Sequence, residues 1–281
     1  MGVAIVTDSS AYLPPELITR HDLEVVPLQI IIGGAAYDDG FVTTGDLAEA
    51  MREWQPVSTS RPSPERFAQA YKAAAGTGAT SIVSVHLSGT MSGSLECARL
   101  AAEEASVPVR VIDSRTIGMA LGFAALSGAL AAAQGASLEE VESVTRHRAE
   151  SSSTFFYVDT LEYLRRGGRI GAAAGLLGTA LRVKPLLHLA EGRIAPLEKI
   201  RTASRALSRM EELVMARAGD TEVDVAVQHV AAPARAETLA GRLRERVPHL
   251  RTLHVTEVGP VIGAHVGPGT LGVAVSPVHS A

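Results

Sequence analysis

Hydroxyls and small side chains crowd the segment Ser88-Gly89-Thr90-Met91-Ser92-Gly93-Ser94, between an apolar run at 81–86 and a helical pattern that begins at Met91. Where a strand passes through such a segment into a helix, unpaired backbone N–H groups and the helix dipole attract a carboxylate or phosphate, and glycine permits close approach. The segment is not a P-loop, because no Gly-Lys-Ser/Thr follows and no lysine stands nearby. It is not a nucleophile elbow, because a G-x-S-x-G centred on Ser92 needs glycine where Thr90 and Ser94 stand. Two other segments share its character. Asp8-Ser9-Ser10 closes an apolar run and reads equally as the ligand-lining end of a parallel strand or as an N-cap for a helix near Pro14. Residues 58–64 (STSRPSP) set Thr59, Ser60 and Arg61 in a proline-stiffened turn, which reads as an anion-facing turn or as a capping loop.

Titratable groups narrow the chemistry further. The nine histidines form no H-E-x-x-H or H-x-H, so a metal site is not expected. His265 stands apart because residues 259–269 (GPVIGAHVGPG) surround it with glycine and proline; this predicts neither a regular helix nor a central strand, with a backbone shaped for a ligand or a merely structural histidine. The single cysteine, Cys97, lies in a helical pattern and reads as a small buried hydrophobe. From Arg165 to Arg205 nine basic residues face two acidic ones, with Arg165, Arg166 and Arg169 gathered around Gly167-Gly168. That concentration suits a phosphate-bearing ligand or an acidic protein partner.

The elements that position these groups follow from periodicity. Apolar runs at 2–7, 24–32, 81–86 and 109–112 alternate with helical patterns at 44–54, 64–75, 91–105 and 138–148, which predicts a mainly parallel sheet with helices on both faces. The charge-free stretch 116–138 is too rich in Ala, Gly and Ser for a membrane span and reads as a buried helix. Composition changes at Ser151-Ser152-Ser153, so two α/β domains are expected, 1–152 and 153–281. The second is mixed: strands at 154–158, 223–230, 252–257 and 271–275, a hairpin at 184–199, and helices at 161–165, 202–218 and 233–246. With 281 residues, 46% hydrophobic and 20% charged, the chain can bury a sizeable core. Its net charge of −4 argues against a nucleic-acid partner. One cysteine and an N-terminus (MGVAIVTDSS) without a signal-peptide pattern make the cytoplasm the expected location. No G-x-G-x-x-G follows the first strand, so a dinucleotide cofactor is not expected.

Taken in order, VTDSSAYLP at 6–14, TSRPSPERF at 59–67, LSGTMSGS at 87–94, VIDSRTIGMALG at 111–122, DTLEYLRRGGRI at 159–170, KPLLHLAEGRI at 184–194 and GPVIGAHVGPGTLG at 259–272 resemble the DegV family, fatty-acid-binding proteins that serve as the FakB-type subunit of bacterial fatty acid kinase. The resemblance implies two α/β domains with an acyl-chain tunnel at their interface, and no cofactor or metal. It also implies a non-catalytic subunit that presents a long-chain fatty acid to an ATP-dependent, FakA-type kinase subunit, feeding phospholipid synthesis, with at most transient membrane contact. Carried over by motif, Thr59, Ser88, Gly89, Thr90, His265 and Arg169 resemble the carboxylate-binding set. Ser9, Ser60 and Met91 are pocket candidates, and Arg169 and Arg201 are candidates for docking the kinase subunit. The sequence departs from the family at Arg61, where Gln is common, and at Met91-Ser92, which bears on acyl selectivity. The residues themselves leave two rivals open: a small-molecule kinase or phosphatase acting through the Ser88 loop and the arginines, or a lipid-sensing regulatory protein.

Overall fold

A computed structural model describes residues 2–176 and 184–278. Its strands are β1 (Val3–Asp8), β2 (Glu24–Val26), β3 (Gln29–Ile32), β4 (Ala35–Asp38), β5 (Val57–Ser60), β6 (Ser81–His86), β7 (Val109–Asp113), β8 (Ser153–Tyr157), β9 (Lys184–Ala190), β10 (Arg193–Ile200), β11 (Val223–His229), β12 (Leu250–Glu257) and β13 (Leu271–Pro277). The helices are α1 (Pro15–Arg20), α2 (Thr44–Arg52), α3 (Pro64–Gly76), α4 (Ser94–Glu103), α5 (Met119–Ala133), α6 (Leu138–Ser151), α7 (Glu162–Arg166), α8 (Ala203–Ala218), α9 (Pro233–Arg246) and α10 (Pro260–Val266).

Packing divides the chain into one unit of Met1–Gln29 with Ser60–Ser151 and another of Ile30–Thr59 with Ser152–Ala281. A single division at 152/153 would put Ile30–Thr59 in the first unit, whereas its contacts are made with the second: Leu47 of α2 lies against Gly263 of α10, and Thr44 Oγ1 donates to Glu257 Oε1 at 2.7 Å. The apolar run 24–32 is likewise not one strand. Pro27, which lacks a ladder N–H, stands in the gap between β2 and β3, and these two strands lie in different sheets.

In the first unit the sheet runs β2-β1-β6-β7, parallel throughout. Strand alternation sorts its two faces. Val6, Val26 and Ile82 pack with Phe67, Tyr71 and Ala74 of α3 and Cys97 and Ala98 of α4. Ile5 points the other way, towards α5 at Gly128, so helices cover both faces as the alternating pattern predicts. α5 is buried from Met119 to Ala125, and among the described residues no helix is long and apolar enough to cross a membrane.

The second unit carries a mixed sheet, β10-β9-β8-β13-β11-β12, antiparallel except for the β11/β12 pair. α8 and α9 bury Met210, Val214, Leu239 and Leu243 against Val223, Val225 and Val227. A three-stranded sheet, β4-β3-β5, accompanies α2.

Candidate functional site

In the first unit, chain order places the switch point between β1 and β6, where connections leave in opposite directions and ligands of open parallel sheets bind beyond the strand ends. Asp8, at the end of β1, is wholly buried. Its carboxylate accepts from Ser10 N, Ser10 Oγ, His86 Nδ1 at 3.0 Å and Leu87 N at 3.0 Å. His86 Nε2 pairs with Ser84 Oγ at 2.6 Å, and Ser84 Oγ with the Tyr71 hydroxyl at 2.9 Å. Burial pushes that hydroxyl up to about 12, so it remains a neutral partner. An Asp–His–Ser row of this kind can activate a nucleophile, but Ser84 Oγ is already held within the core at β6, between His86 Nε2 and the Tyr71 hydroxyl, so the row is structural. What the row does is tie the ends of β1 and β6 together directly beneath the Ser88 loop. Asp8 therefore caps a short 3-10 turn, Ser9–Ala11, rather than a helix near Pro14.

The Ser88 loop differs from its sequence reading in one respect. α4 begins at Ser94 rather than Met91, and the backbone donors from Ser88 to Ser92 are already paired. Ser88 N donates to Thr116 O, Gly89 N to Asp113 Oδ1, Thr90 N to Ser88 Oγ, and Met91 N and Ser92 N to Ser88 O. What the loop offers a ligand is hydroxyls: Ser88 Oγ and Thr90 Oγ1, 3.0 Å apart. The Arg61 side chain lies against Gly93, where a Cβ would overlap its guanidinium. Among the pocket candidates, Ser9 Oγ accepts from Leu28 N at 3.1 Å and Ser60 Oγ donates to Arg61 O at 3.2 Å, while Met91 is half-buried in the loop.

The second unit brings together Thr59, His265 and Arg169. The glycine- and proline-rich stretch around His265 folds as α10, correcting the expectation of irregular backbone. Pro260 occupies a first-turn position that needs no N–H, Gly263 makes room for Leu47, and Gly267 ends the helix at φ +80. His265 Nε2 lies 2.8 Å from Thr59 Oγ1 of β5. Gly167, just past α7, is what lets the ring sit there, because a Cβ at 167 would overlap Nδ1. Nδ1 is buried without a hydrogen-bond partner. Arg169 Nη1 donates to Gly167 O at 2.7 Å, which brings the guanidinium to the Gly167 side of the ring.

Burial, and secondly the Arg169 charge, push His265 down to about 4. A helix C-terminus favours imidazolium by about 1 kcal/mol at most when exposed, so desolvation wins and the ring is neutral at pH 7. We assign its proton to Nε2, since a bare Nδ1 lone pair facing Arg169 is favoured over an N–H there. Nε2–H then donates to Thr59 Oγ1, leaving the Thr59 hydroxyl hydrogen for an incoming oxygen.

The three guanidiniums gathered around Gly167-Gly168 do not act as one cluster. Arg165 and Arg166 both bind Glu162, at 2.7 Å each, and their hydrogen bonds hold its carboxyl down at about 2. Arg166 also stands over the Trp54 ring, 5.9 Å from its centroid. Lys184 pairs with Asp159 at 2.6 Å. Arg201 is exposed immediately before Thr202, the N-cap of α8, and Arg182 lies outside the described residues. No group of three or more His, Cys, Asp or Glu suited to a metal occurs among the described residues. The sequence reading took Gly167 only as a break among the arginines, not as the seat of the His265 ring. It missed the Asp8–His86–Ser84 row, for which the i, i+2 spacing of Ser84 and His86 in a strand was the available signal.

The class of protein is thus a two-unit α/β chain with hydroxyl donors beyond a parallel sheet's switch point and a neutral His–Thr pair beside a guanidinium. The chain belongs to the DegV family, whose model, described as "Uncharacterised protein, DegV family", matches residues 2–278. A DegV domain-containing protein of Streptomyces coelicolor is 56% identical over 275 residues, 98% of each chain. One of Mycobacterium tuberculosis is 39% identical over 279 residues, 98% of this chain and 97% of the other. Among solved structures, a DegV family protein of Thermus thermophilus described for its fatty acid binding superposes with a TM-score of 0.94 at 33% identity, over 99% of this chain and 100% of that one. DegV of Bacillus subtilis, described as a fatty acid binding protein, does so with a TM-score of 0.90 at 31% identity, over 99% of this chain and 100% of that one.

Proposed function

We propose that this chain binds one long-chain fatty acid non-covalently and presents its carboxylate to a separate ATP-dependent kinase subunit, which makes the acyl-phosphate used in phospholipid synthesis. The observation that carries the reading is the Thr59–His265 pair. A hydroxyl whose oxygen is already held by an imidazole N–H points its own hydrogen outwards, and a guanidinium alongside favours an anion there. A hydrogen bond to a charged group contributes about 1.5–3 kcal/mol, and each buried methylene ~0.8 kcal/mol, so a long acyl chain with one or two such bonds binds tightly. Two similar proteins, from Thermus thermophilus and Bacillus subtilis, are described as fatty acid binding.

In this reading Ser88, with Gly89 and Thr90, supplies a further hydroxyl to the carboxylate, and Ser9, Ser60 and Met91 line the ligand. The chain itself performs no phosphoryl transfer and needs no cofactor, for it has no P-loop and phosphoryl transfer requires nucleotide held by dedicated groups. Arg169 and the exposed Arg201 dock the kinase subunit. The reading places the protein in the cytoplasm, without a nucleic-acid partner and with at most transient membrane contact.

The test is mass spectrometry of the purified, denatured protein and of its organic extract. A co-purified or re-bound fatty acid is expected, with uptake weakened in Thr59→Val and Ser88→Ala. A protein that arrives empty and takes up no added fatty acid would refute binding. Acyl-phosphate formed from ATP by the isolated chain would refute the non-catalytic role.

A further inference from the structure

Aromatic side chains are scarce in this chain, at 4% of residues, and nearly all are at least half-buried. Among the described residues the exposed ones are Tyr37, Phe41 and Trp54, the last two 84% and 81% exposed, and all three lie within Ile30–Thr59. The same segment holds Asp38, Asp39, Asp46, Glu49 and Glu53 against Arg52 alone, a local balance of −4 that equals the charge of the whole chain. α2 organises both features. Its inner face carries Leu47 to Gly263 of α10. Asp46, Glu49 and Glu53, spaced i, i+3 and i+7, share one side and line a cleft of about 440 Å3 with Ile32 and Tyr37. Asp46 stays ionised, since the hydrogen bonds of its capping box with Thr43 hold it below the usual carboxylate range.

We infer that this face of α2 and its flanking turns is a docking surface for a cationic, amphipathic segment of another protein. Exposed aromatics beside an open cleft have the composition of an interface core, where Trp and Tyr carry much of the binding energy. Charge then decides the class of partner. An anionic membrane would be repelled by the carboxylates of Asp46, Glu49 and Glu53, and an identical face of a second copy would be repelled by them equally. A segment with Lys or Arg on one side and Leu on the other satisfies both halves, its cations on Glu49 and Glu53 and its apolar side between Tyr37 and Phe41. Trp54 already has Arg166 over its ring, so a cation on an aromatic is accepted here. The surface is distinct from Arg169 and Arg201. It stands one helix from His265, and Trp54 precedes β5, which carries Thr59, so an occupant would be adjacent to the elements of the candidate site.

Trp54 is the chain's single tryptophan, so its fluorescence reads this surface directly. The full chain would be titrated with a short helical Leu/Lys peptide, its Leu/Glu counterpart, and vesicles of phosphatidylglycerol and phosphatidylcholine, at low and high salt. The expected result is a saturable blue shift with the Leu/Lys peptide alone, weakened about tenfold or more by high salt, by Glu49→Lys/Glu53→Lys and by Phe41→Ser. The milder Glu49→Gln/Glu53→Gln is expected to weaken it in the same direction. Glu139→Lys/Glu140→Lys, an acidic pair on α6, is expected to leave the affinity unchanged. Equal loss in that control, undiminished binding in the α2 variants, a shift with vesicles, or a shift on concentrating the protein alone would each overturn the inference.

Discussion

Between pH 7 and pH 4 the imidazole of His265 is expected to drain stability from the second unit, by an amount that follows from its surroundings. Burial and Arg169 lower it from an ordinary 6.5 to about 4 in the folded chain. The unfolded chain therefore takes up this proton first. Stability is full above about pH 6.5, falls as pH drops towards 4, and levels off below, where both states are protonated. One proton taken up by the unfolded state alone gives a slope of about 1.4 kcal/mol per pH unit, so the whole window amounts to about 3 kcal/mol, and less where solvent reaches the ring. The comparison is wild type against His265→Gln, which keeps an amide donor for Thr59 but does not titrate. Urea unfolding would be followed through Trp54, which belongs to the same unit as His265. His188 and His229 are also pushed down, mainly by burial, and their contributions cancel in the difference between the two proteins. The two stability curves should converge as pH falls from 6.5 to 4. Parallel curves across that window would mean that His265 is not held neutral and would remove the argument for its proton on Nε2. Bound fatty acid, by placing a carboxylate near the ring, should narrow the window, the convergence ending at a higher pH and with a smaller total loss, since an anion favours the imidazolium and raises the folded-state pKa towards 6.5.

Gly167→Ala needs no unusual backbone, since φ is −74, yet its Cβ would overlap the His265 ring. A loss of about 1–3 kcal/mol is expected, together with weakened fatty acid retention, against little effect from Gly241→Ala, which has open space; equal urea midpoints would refute the close approach. Asp8→Ala strips the acceptor from four buried donors and should cost about 3–5 kcal/mol, with faster amide exchange at Leu87 and Ser88 as the local signature; unchanged exchange would separate Asp8 from the loop. Arg201→Ala should retain fatty acid but lower acyl-phosphate output when the purified kinase subunit is added, and Arg169→Ala should lower both; full output from Arg201→Ala at low and high salt would end its docking role.

The strand and helix alternation of the first unit was readable because it is written in local periodicity: a short apolar run such as Ser81–His86 and a three-to-four spacing such as Phe67, Ala70, Tyr71 and Ala74 need no distant partner to be recognised. The hairpin of β9 and β10 was readable for the same reason, with Glu191-Gly192 at its turn. Failures came where one residue type serves two purposes. Glycine and proline at 259–269 suggested irregular backbone, and they turned out to be the first turn, the packing face and the stop of α10. Met91 looked helical, while the Ser92 and Ser94 hydroxyls delay the helix by pairing with each other and with the Ser94 N–H.

Residue types and order alone determined that hydroxyl-rich turns follow strands, that His265 stands among glycines, that basic side chains crowd 165–205, and that no nucleotide loop is present, since each of these is a property of neighbours along the chain. Tertiary structure decided the rest. It set His265 against Thr59, 206 positions away, and emptied the space at Gly167 that the ring occupies. It spent Arg165 and Arg166 on Glu162 while leaving Arg169 beside the imidazole, and it moved Ile30–Thr59 into the second unit. A pKa near 4, a bare Nδ1 and an exposed aromatic are all consequences of what lies within a few ångströms in space, and spatial neighbours that far apart in sequence leave no periodic trace in it.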